Sequence, residues 1–287
     1  MFRVHALFPP QLPPASAIFT VCYRRLLVIA NGMFKALAVC LAAVAMSLTA
    51  RAQEKQRFYE LRTYHAEPGK LDALLTRFRD HTCKLFEKHG MTNVGYWVPV
   101  DNKDNLLVYL LAYPNQPARD ASWKAFLEDV EWKKAAAASE VNGKLVGKID
   151  STFLIPTAFS MGFPVSPGDQ PDRLFEMRTY VTTAGNLENL HKRFQDHTQN
   201  LFRKHGMTNL GYYRMVPGQT DAENTLLYFL AHKDAATASA SWTAFRADPV
   251  WVTAKKASED AAGGSLTVLP DGVKSVFLKP VDFSPVK

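Results

Sequence analysis

Between positions 58 and 64 the side chains alternate in character: Tyr59, Leu61 and Thr63 fall on one face, Glu60, Arg62 and Tyr64 on the other. A period of two predicts a strand with a different environment on each side. From Lys70 the period lengthens. Leu71, Leu74, Phe78, His81 and Leu85 recur at spacings of three and four, which predicts an amphipathic helix, and Gly90 stands where a C-cap glycine would end it. Residues 93–98 and 106–113 are rich in aromatic and β-branched side chains and flank a polar turn at 101–105, so they read as two further strands. A second helical region carries Trp123, Phe126 and Trp132, and residues 151–155 close the series as a strand.

The whole series is then repeated. FYELRTY (58–64) is answered by LFEMRTY (174–180), and DHTCKLFEKHGMTNVGY (80–96) by DHTQNLFRKHGMTNLGY (196–212). At an offset of 116, 22 of the 38 positions from Glu60 to Trp97 are identical. Coincidence does not produce that, so the body is an internal duplication. The match resumes at an offset of 119, with Trp123, Phe126 and Trp132 answered by Trp242, Phe245 and Trp251. Copies at 58–160 and 174–284 flank a Pro- and Gly-containing linker, 161–173. In the second copy Asp248-Pro249 reads as an N-cap followed by proline at the first helical position.

The order βαββαβ predicts an α+β protein, each copy a ferredoxin-like domain with both helices on one face of an antiparallel sheet. The other face would be bare. Two tandem copies can cover each other there, giving an intramolecular pseudo-two-fold α+β barrel. On that reading Glu60, Arg62 and Tyr64 meet Glu176, Arg178 and Tyr180 inside the barrel.

The strand ELRTY, the helix ending FEKHGM, the strand NVGYW and the segment SWxAFxxDxxW (122–132) together resemble the NIPSNAP family. The resemblance covers both copies and implies the dimeric α+β barrel fold. It implies little chemistry, because most members of the family have no established activity. Related barrels include small monooxygenases, EthD-like proteins and haem-binding chlorite dismutase-like enzymes; that relation is analogy.

Charge excludes one class of partner. The chain of 287 residues has a formal charge of +7, but positions 1–52 hold Arg3, Arg24, Arg25, Lys35 and Arg51 and no acid, leaving 29 basic against 27 acidic side chains in the body. Without a clustered basic surface, no nucleic-acid partner is expected. The same region explains the imbalance. From Met33, one lysine precedes an apolar run from Ala36 to Leu48 and the pattern Ala50-Arg51-Ala52, which predicts an export signal starting at Met33 and cleaved after Ala52. Arg24-Arg25 offers the alternative of a twin-arginine signal. The mature protein is then periplasmic or secreted and keeps no stable membrane span. Of Cys22, Cys40 and Cys83 only the last survives cleavage, so no intrachain disulfide forms.

Candidate chemistry concentrates in two duplicated sets. His81 and His197 lie on the apolar stripe of their helices, so the expectation is that their rings face the sheet, where an imidazole serves as a general base or a core hydrogen-bond partner. Glu60, Arg62, Glu176 and Arg178, with Tyr64, Tyr180, Tyr109 and Tyr228, form either a polar core or a lining for an anionic ligand. His89 and His205 end their helices and read as caps. No H-E-x-x-H, phosphate loop, dinucleotide fingerprint or G-x-S-x-G occurs, so no metal or cofactor is called for. Two classes of function follow: a module binding a small anionic or aromatic ligand, compatible with a homo-oligomer, or a cofactor-independent monooxygenase or isomerase with haem binding as a variant.

Overall fold

The computed structural model describes residues 57–163 and 173–287. The expected export signal and most of the linker lie outside the described residues. The first copy runs β1 (Phe58–Ala66), α1 (Leu71–Arg77), a π-helical turn (Phe78–Thr82), α2 (Cys83–Lys88), β2 (Thr92–Pro99), β3 (Leu106–Tyr113), α3 (Gln116–Glu128), α4 (Val130–Ser139) and β4 (Val146–Pro156). The second repeats it as β5 (Leu174–Val181), α5 (Leu187–Arg193), a π-helical turn (Phe194–Thr198), α6 (Gln199–Lys204), β6 (Thr208–Met215), β7 (Thr225–His232), α7 (Ala235–Ala247), α8 (Pro249–Ala261) and β8 (Val273–Pro280). Local signals place several ends: Gly90 and Gly206 adopt φ of +78°, and Asp248 accepts the Val250 N–H at 2.9 Å ahead of Pro249.

All eight strands close one barrel in the order β1-β3-β2-β8-β5-β7-β6-β4. The halves join at two short seams, β2 with β8 and β4 with β6, each of three residue pairs. Each half also sends its tail across: the Ser284 hydroxyl accepts the Tyr96 N–H and the Ser160 hydroxyl the Tyr212 N–H, both at 3.0 Å.

The barrel interior reverses the expectation for β1. Tyr59, Leu61, Leu110, Phe175, Phe229 and Leu278 fill it, with contacts across the halves such as Tyr59 on Tyr213 (4.9 Å between ring centres) and Trp97 on Phe175 (5.5 Å). Glu60, Arg62 and Tyr64 therefore do not meet Glu176, Arg178 and Tyr180. Each set faces its own helices, on the outside of the barrel. The cause is dielectric: a closed eight-stranded barrel is filled by side chains, and charges sealed inside it would lose hydration on every side. Gly95 and Gly211 let the interior close, since a Cβ at either would collide with the Trp97 or Tyr213 ring.

Between sheet and helices each half has a separate aromatic core. Phe78 contacts the rings of Tyr64, Phe86, Tyr96 and Tyr109 at 5.2–6.1 Å. Burying a side chain of this size contributes about 1.5–3 kcal/mol.

Two length differences break the symmetry. The β6–β7 connection is three residues longer than β2–β3, and its Gln219 bonds both the N–H and the C=O of Phe153 at 2.8 Å. The stretch from Glu259 to Ser275 is five residues longer than its counterpart, Glu140 to Ser151.

Candidate functional site

Glu60 is fully buried on β1 and gathers the site around it. Its Oε1 accepts Arg62 Nη1 at 2.6 Å and Arg119 Nη2 at 2.9 Å; its Oε2 accepts Arg119 Nε at 2.9 Å, Trp123 Nε1 at 2.8 Å and the Tyr113 hydroxyl at 3.2 Å. Burial pushes this carboxyl up, but the Arg119 hydrogen bonds and the charges of Arg62 and Arg119 outweigh it and hold the pKa below the usual value. Arg62 in turn donates to the hydroxyls of Tyr109 (2.9 Å) and Tyr64 (3.3 Å) and lies 4.4 Å over the Trp123 ring. The sequence-derived set Glu60, Arg62, Tyr64 and Tyr109 is thus one cluster.

The second half builds a parallel cluster with other neighbours. Glu176 accepts Arg178 Nη1 (2.5 Å), Trp242 Nε1 (2.8 Å) and the Ser275 hydroxyl (2.6 Å), and its Oε2 lies 2.9 Å from His232 Nε2. Burial acts to raise this carboxyl too, yet the His232 bond and the Arg178 charge bring it down to about 2. Arg178 donates to the Tyr180 hydroxyl at 3.2 Å, whereas the buried Tyr228 hydroxyl has no hydrogen-bond partner, unlike its twin Tyr109. His232 stands for Tyr113 and Ala238 for Arg119.

A cleft of about 640 Å³ opens above the first cluster, between the sheet and α1–α4. Tyr64, Phe78, Phe86, Trp123, Phe126 and Trp132 wall it, and Arg62, Arg77, Arg119, Lys144 and Lys148 give it positive charge against Glu140. Arg77 enters from the helix. Its Nη1 reaches the Ser139 hydroxyl at 3.3 Å and Glu140 Oε1 at 3.2 Å, its guanidinium lies 5.3 Å from the Trp132 ring centre, and its Nε has no partner. The equivalent space in the second half, beside Arg193 and Trp251, is about 300 Å³, with Ser265, Thr267 and Leu269 of the longer α8–β8 stretch along it.

His81 and His197 do not face the sheet; both are exposed. The π turn is the reason. It carries one extra residue per turn, closed by the Cys83 N–H on the Phe78 carbonyl, and advances every later position by about 100°. Thr82 and Thr198 take the inward position, their hydroxyls bonding the carbonyls of Arg77 and Arg193 at 3.2 and 3.1 Å. The general-base reading of the two histidines loses its premise. His89 and His205 bind Asp129 and Asp248, the N-caps of α4 and α8, at 2.7 Å, tying helix to helix instead of capping a terminal carbonyl. Burial pushes the Cys83 thiol up to about 12, so it is no nucleophile near neutrality. Among the described residues no group of three His, Cys, Asp or Glu could hold a metal.

Sequence reasoning missed Arg77, Arg119 and Tyr113 and gave Trp123 and Trp132 no part in a site. One signal was available: Arg77 and Arg193 are identical in the two copies and precede the apolar Phe78 and Phe194.

Fold and cleft together define a dimeric α+β barrel whose two subunits are joined in one chain. The NIPSNAP family profile matches residues 59–161 and 175–285, and the chain belongs to the NIPSNAP family. It is 27% identical over 162 residues to Protein NipSnap homolog 3A of Homo sapiens, with 55% of this chain aligned to 59% of that protein. The chain thus spans about three fifths of that relative's length. Among solved structures it is similar to an anthrone oxidase-like protein (TM-score 0.52, 11% identity, 82% of this chain and 96% of that one). It is also similar to a monooxygenase-like protein of Lactobacillus acidophilus (TM-score 0.51, 9% identity, 78% and 94%). At those identities the likeness is one of fold.

Proposed function

We propose that this protein is an exported small-molecule-binding module, working from the cleft of its first half. The observation that carries the reading is the cluster of Glu60, Arg62 and Arg119 at the base of an open, aromatic-walled cleft: a pre-formed polar floor beneath apolar walls is the usual make-up of a ligand site. Export rests on the sequence from Met33 to Ala52, and N-terminal sequencing of the protein recovered from the periplasm or medium tests it. No helix among the described residues is long and apolar enough to cross a membrane.

A thermal-shift screen against small carboxylates and aromatic compounds tests the binding reading. Several compounds should raise the melting temperature, since a ligand that binds only the folded state stabilises it by mass action. A flat response throughout removes the ligand site. The second reading, turnover in the manner of a cofactor-independent monooxygenase or isomerase, draws support from the fold neighbours alone. It would have to use Glu140 or a substrate-derived base in place of the exposed histidines, and disappearance of any bound compound with time would favour it.

A further inference from the structure

We infer that the first-half cleft takes one aromatic carboxylate per chain, its carboxylate received by Arg77 and its ring laid against Trp132 and Trp123. The inference rests on the binding reading above and names the ligand class. Arg77 is the group that calls for it. Only 5% of its side chain is exposed, yet among the described residues its hydrogen bonds all come from Nη1, and its buried Nε has no partner. Buried guanidinium donors are normally answered, and the pair left over, Nε–H with one Nη2–H, is the fork that a carboxylate meets with two parallel bonds.

Charge and shape narrow the class. Among the described residues Glu140 is the one acid lining the cleft, 37% exposed and placed on Nη1, the nitrogen outside the fork. Buried Glu60 and exposed Asp120 offset part of Arg62 and Arg119, and Asp150 pairs Lys148, but Lys144 adds positive charge and the balance around the cleft still favours an anion. A bare inorganic anion would leave the cleft-facing edges of the aromatic walls uncovered. A flat aromatic body on the carboxylate covers them, and a volume near 640 Å³ suits a molecule of that scale.

The same reasoning excludes the second half. Arg193 repeats the unpartnered Nε, but its cleft is less than half the size. The longer α8–β8 stretch narrows it and is pinned in place: Thr267 bridges Thr182, the Val268 N–H donates to the Val181 carbonyl at 3.0 Å, and the Thr183 N–H donates to the Leu266 carbonyl at 3.1 Å. Ala238 supplies none of the charge that Arg119 does.

Calorimetric titration of the purified protein with 2-naphthoate, 2-naphthamide and octanoate tests the inference. The expected result is one naphthoate per chain, bound at least tenfold more tightly than the amide or the aliphatic acid. Arg77→Gln should weaken naphthoate by roughly 10- to 100-fold, the range for a charge-assisted pair. Arg193→Gln, the same change at the duplicate position, should leave the affinity within about twofold and so controls for any purely structural role. Should Arg77→Gln fail to fold, Arg119→Ala serves, because the second half already carries alanine there; it should weaken naphthoate by about tenfold. Equal binding of acid and amide, two sites per chain, or equal effects of the Arg77 and Arg193 variants would overturn the inference and leave a binding cleft standing. No heat with any of the three compounds, alongside a flat thermal-shift screen, would remove the cleft's role as well.

Discussion

Arg119 reaches across the helix–sheet gap to Glu60 with both Nε and Nη2, each at 2.9 Å, and the residue that occupies its place in the second half is alanine. One buried carboxylate is therefore shared by two guanidinium groups in the first half, and by one guanidinium and an imidazole in the second. Counting carboxylates and guanidinium groups, the first cluster has one positive charge in excess toward its cleft and the second has none.

Glu60→Gln should be strongly destabilising. It would leave Arg62 without a carboxylate and Arg119 with only the exposed Asp120, 3.1 Å from its Nη1, and breaking a buried pair by removing one partner typically costs about 3–5 kcal/mol. Urea denaturation followed by tryptophan fluorescence measures it. A loss below about 1 kcal/mol would mean that solvent reaches the pair.

Stability should fall with acid through a defined window. The Glu176 pKa is held near 2 in the folded chain against an ordinary value of 4.5, so the carboxylate is favoured by folding. Its contribution, roughly 3 kcal/mol, is complete above pH 4.5 and is lost as the pH falls from there toward 2. Glu60 shifts in the same direction and adds to the loss. Denaturant midpoints at pH 7, 4.5 and 3 should show the decline between the last two, and Glu176→Gln should flatten it.

His81→Ala and His197→Ala should change little. Both rings are exposed, and surface substitutions away from special features usually stay within about 0.5 kcal/mol. Melting temperature and naphthoate affinity should match the parent protein. A loss of binding in either variant would return the histidines to the site.

Thr82→Val and Thr198→Val should each cost about 1 kcal/mol, because the methyl cannot replace the hydroxyl's hydrogen bond to the Arg77 or Arg193 carbonyl. In the first half the loss should also reach ligand binding, since that carbonyl belongs to the residue whose guanidinium enters the cleft. Paired denaturation and titration of the two variants separate the effects.

Much of this architecture is legible from the chain. The repeat at 116, Gly90, the Asp248-Pro249 start and the alternation at Tyr59 to Tyr64 lead directly to two ferredoxin-like halves and a barrel. The choice of face on β1 was not legible, because alternation shows that two faces differ without saying which is covered by helices and which by the other half. Nor was the π turn, since a 3.6-residue period carried straight through Phe78 to Leu85 puts His81 inward and Thr82 outward, the reverse of what the wide turn produces. The composition of each Glu60-type cluster depends on residues 53 to 99 positions away, beyond any local pattern.

Joining the halves at two three-residue seams has an evolutionary consequence. In a barrel assembled from identical subunits every substitution appears twice, so a change that favours a pocket on one side is imposed on the other whatever it does there. A single polypeptide is released from that constraint: one side can keep a charged, open mouth while its twin gains a longer strap and becomes scaffold.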